Sequence, residues 1–260
     1  MTRTLAYVNQ KGGVCKTTLA AQTAYGLARL GKKVLGIDLD PQGNLTFSLG
    51  LKPDKIQRDA TVGAVLEKRE LVGIYNTPIS YLDVIPADIG LARLERSLSG
   101  LADWQFCLQF ALKDAAAERY DYILLDCPPN LGLLTINGLM AAQEVVIPVT
   151  CDSYALKGMV DLWETIRTVQ KMNASLGILG VIATRVNLQR NIDKDMLKLL
   201  KERFPTLLFS TRIPENTALK VAGGLGKSIW EHDAGSLAIP ALEALCEEIV
   251  NREVNRVQPA

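Results

Sequence analysis

Histidine is nearly missing from this chain. His232 is the single one among 260 residues, which excludes zinc sites built on paired histidines and hydrolytic triads that need an imidazole base. Net charge is missing as well: 29 Lys+Arg stand against 28 Asp+Glu, leaving +1. A uniformly basic nucleic-acid coat is therefore excluded, whereas a local basic face is not. The five cysteines (Cys15, Cys107, Cys127, Cys151, Cys246) are odd in number, scattered, and form no C-x-x-C pair. Free thiols in a reducing compartment fit that pattern; a disulfide framework or an iron–sulfur site does not. No apolar run approaches the roughly 18–20 residues of a membrane span. Met1-Thr-Arg-Thr4 leads straight toward a strand with no signal-peptide pattern. The expectation is a cytoplasmic protein.

Linkers, internal repeats and low-complexity segments are absent too, so residues 1–260 are expected to form a single domain. What is present is a composition able to build a core, 48% hydrophobic and 22% charged. Strand-like and helix-like stretches alternate. Strands are expected at Leu5–Val8, Lys33–Asp38, Tyr81–Ile85, Tyr122–Leu125, Val145–Val149, Gly180–Ala183 and Leu207–Phe209. The stretch Thr17–Leu30 carries apolar residues at helical spacing, with Gly31 where a C-terminal glycine belongs. Further helices are expected at Ile89–Leu98, Trp104–Glu118, Leu133–Ala142, Ala155–Met172, Lys194–Arg203 and Ala238–Val254. Alternation of this kind implies an α/β fold: a mostly parallel, twisted sheet with helices on both faces.

The strongest chemical signal follows the first strand: Asn9-Gln-Lys11-Gly12-Gly13-Val14-Cys15-Lys16-Thr17-Thr18. A glycine-bearing loop between strand and helix turns successive N–H groups inward, and the helix N-terminus adds partial positive charge; together they cradle a polyphosphate. Lys16 would reach the β- and γ-phosphates and the Thr17 hydroxyl would ligate Mg²⁺. An ordinary glycine-rich turn is the plainer alternative, but it has no use for the Lys-Thr pair. The second strand ends in Ile37-Asp38-Leu-Asp40-Pro41-Gln-Gly43-Asn44. Period-two geometry puts Asp38 and Asp40 on one side, at the sheet edge where open α/β folds bind ligands; alone, Asp40-Pro41 reads as a turn. Tyr122-Ile-Leu-Leu-Asp126 has the apolar run and terminal acid expected of a carboxylate that holds Mg²⁺ through its water shell.

These segments, in this order, resemble the ParA/Soj class of partition ATPases, part of the wider group with MinD whose phosphate loop deviates to K-G-G-x-x-K-[ST]. The likeness spans nearly the whole chain and includes Val34–Asn44, Asp126–Asn137, Val149–Gly158 and Ile213–Lys227. The resemblance implies a deviant P-loop ATPase that uses ATP and Mg²⁺. Lys11 resembles the signature lysine that reaches into a partner's nucleotide across a homodimer. The loop Lys11–Thr18 would bind phosphates, with Thr18 on the α-phosphate side. Asp40 matches the aspartate that positions the attacking water, Asp126 the metal-holding one, and Pro214 and Asn216 lie in the stretch that frames the base. Two departures stand out. Cys15 replaces a glycine, which strains the backbone if its φ is positive or else crowds the phosphates. Glu215 replaces an arginine linked with DNA binding.

Basic residues gather in the last third. Between Arg185 and Lys227, nine Lys/Arg face four acids, +5 within a chain of +1. Arg185, Arg190, Lys198, Lys201, Arg203, Lys220 and Lys227 are the candidate DNA contacts, binding backbone without reading sequence; a solvated mixed-charge helix face is the alternative. His232 reads as a surface residue, and Trp104, Trp163 and Trp230 as core or interface aromatics. The expected function is a slow, nucleoid-associated ATPase switch. It dimerises with ATP, holds non-specific DNA, and is released when a ParB-like partner stimulates hydrolysis. The alternatives are a nucleotide-binding scaffold with little hydrolysis, a MinD-like membrane-surface protein, and a metabolic ligase. The tail beyond Glu247 has too few bulky apolar residues for a membrane-binding face. With a strand expected this close to Met1, no N-terminal helix-turn-helix is expected.

Overall fold

The computed structural model describes residues 2–52, 55–113, 119–152 and 159–252. In the first half the chain forms β1 (Arg3–Tyr7), α1 (Lys16–Arg29), β2 (Val34–Asp38), α2 (Asn44–Ser48), α3 (Val62–Lys68), β3 (Tyr75–Asn76), β4 (Leu82–Ile85), α4 (Leu91–Leu98) and α5 (Cys107–Leu112). Then come β5 (Tyr122–Asp126), α6 (Leu133–Ala141), β6 (Glu144–Thr150), α7 (Met159–Gln170), β7 (Gly177–Val186) and α8 (Asn191–Arg203). The chain continues through β8 (Leu208–Pro214), α9 (Thr217–Gly224), α10 (Ile229–His232) and α11 (Ile239–Asn251).

The eight strands form one sheet in the order β3-β4-β2-β5-β1-β6-β7-β8. All neighbours run parallel except the β3–β4 pair. Alternate side chains of β1 feed two cores: Leu5 and Tyr7 on one face, Ala6 and its follower Val8 on the other. That is the pattern of a strand buried on both sides. The chain leaves β1 toward β2 on one side, and β6 pairs with β1 on the other. The β1–α1 loop therefore opens at a topological switch point, where the carboxyl ends of the strands leave a crevice.

The alternating pattern of the sequence holds, with differences that have physical causes. Residues 104–118 do not form one helix: a single turn at Trp104–Phe106 precedes α5, and 114–118 lie outside the described residues. Of the helices expected at 155–172 and 238–254, residues 155–158 and 253–254 also lie outside them. The strand at 180–183 is longer than expected and runs from Gly177 to Val186. Asp40 is not in a strand: β2 ends at Asp38, because Pro41 has no N–H for the ladder and Asp40 Oδ1 accepts the Gln42 N–H at 3.0 Å, closing an Asx-turn. Gly31 takes φ +75 just beyond Leu30, the C-cap of α1, as its terminal position requires. Trp163 packs edge-on against Phe204 at 5.7 Å, and Trp230 stacks beneath Arg29.

Candidate functional site

The site grows from the register of three parallel strands. Asp126 at the end of β5 is level with Tyr7 of β1 on one side and Asp38 of β2 on the other. Asp38 is fully buried and anchors the next loop: it accepts from the Asp40 N–H at 3.1 Å, the Thr46 N–H at 2.8 Å and the Thr46 hydroxyl at 2.7 Å. Burial nevertheless pushes its carboxyl up to about 6, against those hydrogen bonds. Thr46 in turn accepts the Ala87 N–H, so Asp38 ties together the β2 loop, α2 and the chain after β4.

Between β1 and α1 the loop is held from both ends. Asn9 donates to the Pro148 carbonyl at 2.7 Å and accepts the Lys11 N–H at 2.9 Å. Thr184 of β7 donates its hydroxyl toward the Val14 carbonyl at 3.1 Å. A side chain at Gly12 or Gly13 would meet no protein atom within 4 Å, and Gly13 takes φ +77. The inner curve of the loop is thus open to a ligand. Cys15 has φ 65 and ψ 28 and caps α1, so the strained branch of the sequence expectation applies: this side chain sits in the left-handed region. Burial raises its thiol, which keeps it neutral near pH 7.

Lys16, 7% exposed, opens α1. Burial lowers its ammonium, while Asp126, Cys127 and Asp40 pull the other way. Asp126 is fully buried and neither carboxylate oxygen has a hydrogen-bond partner among the described residues. Burial, then the charge of Asp38, raise it well above the ordinary carboxylate range; the Thr17 hydroxyl and Lys16 oppose them. A buried carboxylate without partners costs free energy unless something cationic completes it. A hard divalent cation beside the Thr17 hydroxyl matches this oxygen donor set.

Two cavities of about 370 Å³ flank the loop. One, lined by Gly12, Gly13, Lys16, Thr17, Asp40 and Asn44, has the charge and open glycines for phosphates. The other runs between α1, the β8 end and α9, with Leu19, Ile213, Pro214, Leu219 and Leu242 on an apolar wall. Cys15, Thr18 and Lys220 border both. Asn216 lines the apolar cavity, but its amide is committed: Oδ1 accepts from the Ala218 and Leu219 N–H groups at the start of α9, and Nδ2 donates to Ser236. It shapes the wall by position.

Lys11 lines neither of these cavities. Its ammonium pairs with the Asp152 carboxylate, which also accepts from the Thr150 hydroxyl at 2.6 Å. The pair lies in a third recess of about 220 Å³.

The candidate basic residues do not gather at one place. Glu215 takes both Arg185, at 3.3 Å, and Arg190, at 2.8 Å, and Lys220 faces the two ligand cavities. On α8, Lys198, Lys201 and Arg203 are exposed and make no ion pair among the described residues. Lys227 is exposed after α9. Sequence reasoning did not single out Asn9, Gln22, Asp152 or Thr184; Asn9 within the loop motif was the available signal.

A strand–glycine loop–helix unit with a Lys-Thr pair, facing a buried acid on a neighbouring strand, defines the class of P-loop α/β nucleotide-binding proteins. Residues 2–178 match the family model described as "AAA domain". The sporulation initiation inhibitor protein Soj of Bacillus subtilis is 39% identical over 251 residues, covering 96% of this chain and 98% of that protein. The chromosome-partitioning ATPase Soj of Treponema pallidum is 38% identical over 259 residues, covering 98% and 100%. Among solved structures, cobyrinic acid a,c-diamide synthase from Mycobacterium smegmatis with bound ATP analog and magnesium is similar over 100% of both chains, with a TM-score of 0.84 and 32% identity. The chain belongs to the Soj/ParA family of chromosome-partitioning ATPases.

Proposed function

We propose that this chain is an ATP-driven partitioning switch. It binds ATP and magnesium at the β1–α1 loop, pairs with a second copy in the ATP state, and holds DNA without reading its sequence. A ParB-like partner then stimulates hydrolysis and release. The observation that carries the reading is Asp126: fully buried, with no hydrogen-bond partner for either oxygen among the described residues, and level with the β1 end that leads into an open glycine loop and Lys16.

In this reading Lys16 and the loop N–H groups neutralise the β- and γ-phosphates, and the base enters the apolar cavity beside Pro214 and Asn216. The Thr17 hydroxyl and, through water, Asp126 would hold the metal, which when bound offsets charge on the phosphates. Asp40 borders the phosphate cavity with one oxygen fixed by Gln42, leaving the other to orient a water. Lys11 must leave Asp152 to reach a partner's nucleotide. That ion pair, together with an electrostatic site completed only by the second subunit, supports slow turnover by the single chain. No helix among the described residues is long and apolar enough to cross a membrane, and the place of action is the cytoplasm, on the nucleoid. Lys198, Lys201 and Arg203 are the strongest candidates for DNA contacts, since Arg185 and Arg190 are both held by Glu215. The synthase likeness points to ligase chemistry on the same frame; the partitioning relatives, at higher identity, favour the switch.

Light scattering with and without ATP tests this reading. The wild-type mass should double with ATP, while Lys11→Ala binds ATP and stays monomeric. An unchanged ATP dimer in Lys11→Ala would remove that lysine from the interface.

A further inference from the structure

Gln22 lies on α1 one turn beyond Thr18, and spacing of four residues puts both on one helix face. Both line the apolar cavity, and Thr18 also borders the phosphate cavity. Along that face, Thr18 marks the phosphate end and Gln22 the deeper part. Gln22 is 0% exposed. Its Oε1 accepts the Ile229 N–H at 3.0 Å. Because a backbone N–H can only donate, that contact fixes which amide atom faces it and leaves Nε2 on the other side. Nε2 has no partner among the described residues. The other buried polar atoms without partners belong to Tyr7, Thr23, Asp126 and Arg252, none of which lines this cavity. Two other polar side chains of the wall are engaged: the Asn216 amide by α9 and Ser236, and the Thr184 hydroxyl by the Val14 and Val149 carbonyls.

An amide donor kept dry on the wall of an apolar pocket is expensive unless a ligand supplies the acceptor. In a pocket of about 370 Å³, a few such groups set ligand orientation while apolar walls supply contact. We propose that Gln22 is a specificity-determining residue for the base, its Nε2 donating a hydrogen bond to a ring nitrogen of the bound adenine. The proposal rests on the nucleotide-binding reading above. Ile229 and α10 act behind it, holding the amide so that the donor, and not the carbonyl, is presented. A base that offers a hydrogen or a carbon at that position leaves the amide unsatisfied.

The test uses the full chain and displacement of a fluorescent ATP analogue, comparing ATP with 1-deaza-, 3-deaza- and 7-deaza-ATP, each of which replaces one ring nitrogen by C–H. For the wild type, one of the three should bind roughly ten-fold more weakly than ATP, the cost of one lost buried hydrogen bond. In Gln22→Met that difference should shrink to less than about two-fold, the signature of a direct pair in a double-mutant cycle. Three analogues that all match ATP on the wild type would overturn the proposal without any variant, as would a penalty that survives in Gln22→Met. Failure of ATP itself to bind would be visible first, and would overturn the nucleotide reading along with the role of Gln22.

Discussion

Replacing Cys15 by glycine should stabilise this chain, although it removes a side chain. The φ of 65 at Cys15 places Cβ against its own carbonyl, at a cost of about 1–2 kcal/mol for an L-residue. Glycine relieves that cost but brings about 0.5–1 kcal/mol of extra unfolded-state entropy. The net gain is about 0.5–1 kcal/mol, or about 1–3 °C in Tm for a chain of this size. Cys15→Ala separates backbone from sulfur: it keeps Cβ and the strain, so its Tm should lie at or below the wild-type value. Loss of charge does not complicate the comparison, because the thiol is neutral near pH 7. Cys15 also borders both ligand cavities, so Cys15→Gly should bind ATP at least as tightly and turn it over at least as fast. The assay is thermal unfolding without ligand, followed by ATP titration. A lower Tm for Cys15→Gly together with a higher one for Cys15→Ala would refute the strained loop.

Two other outcomes follow from charge. Reversing Lys198, Lys201 and Arg203 together should weaken ATP-dependent DNA binding equally for unrelated sequences, each lost phosphate contact removing about 0.9 from the log–log salt slope; filter binding across a salt series checks this, and an unchanged slope counts against α8. Asp126 is raised well above the ordinary carboxylate range without ligand, yet holding a cation requires its anion. Binding of the Mg²⁺–nucleotide should therefore release up to about one proton and tighten as pH rises, by at most about ten-fold per unit. Calorimetry in buffers of different ionisation enthalpy should show the release, and buffer-independent heats would contradict it.

How much of this was legible in the sequence depended on how local each signal was. The β1–loop–α1 unit announces itself because strand, glycines, Lys16 and Thr17 are contiguous, and Asp126 is marked by the apolar run before it. Period-two spacing puts Asp38 beside Asp40 at the ligand-binding edge of the sheet. Its real role, anchoring Thr46, appears only once α2 folds back beneath the loop. Helices α2, α3, α9 and α10 span four to eight residues, too few turns for a periodic stripe. The capping box of Ser228 and Glu231 and the Asn216 cap of α9 were their local marks. The β3 edge strand has two residues and no pattern to read. Gln22 is a polar residue on an otherwise apolar stripe, and neither its burial nor its link to Ile229, 207 residues away, is visible along the chain. The Glu215 ion pairs with Arg185 and Arg190 show why a count of basic residues overstates the free positive charge.

The most direct test of the switch is single-turnover ATP hydrolysis by Asp40→Ala, measured beside its ATP affinity. Asp40 Oδ1 is tied to the Gln42 N–H in the exit turn from β2, and its carboxylate borders the phosphate cavity, 9% exposed where Asp126 is fully buried. The substitution should spare ATP binding and dimer formation, and it should reduce hydrolysis to near background, on the order of a hundred-fold or more for loss of a positioned base. The variant should then persist as a long-lived ATP dimer on DNA. Undiminished turnover would move the water-positioning role to another residue, and loss of ATP binding would make Asp40 a structural or metal-holding group. Either result would contradict the account.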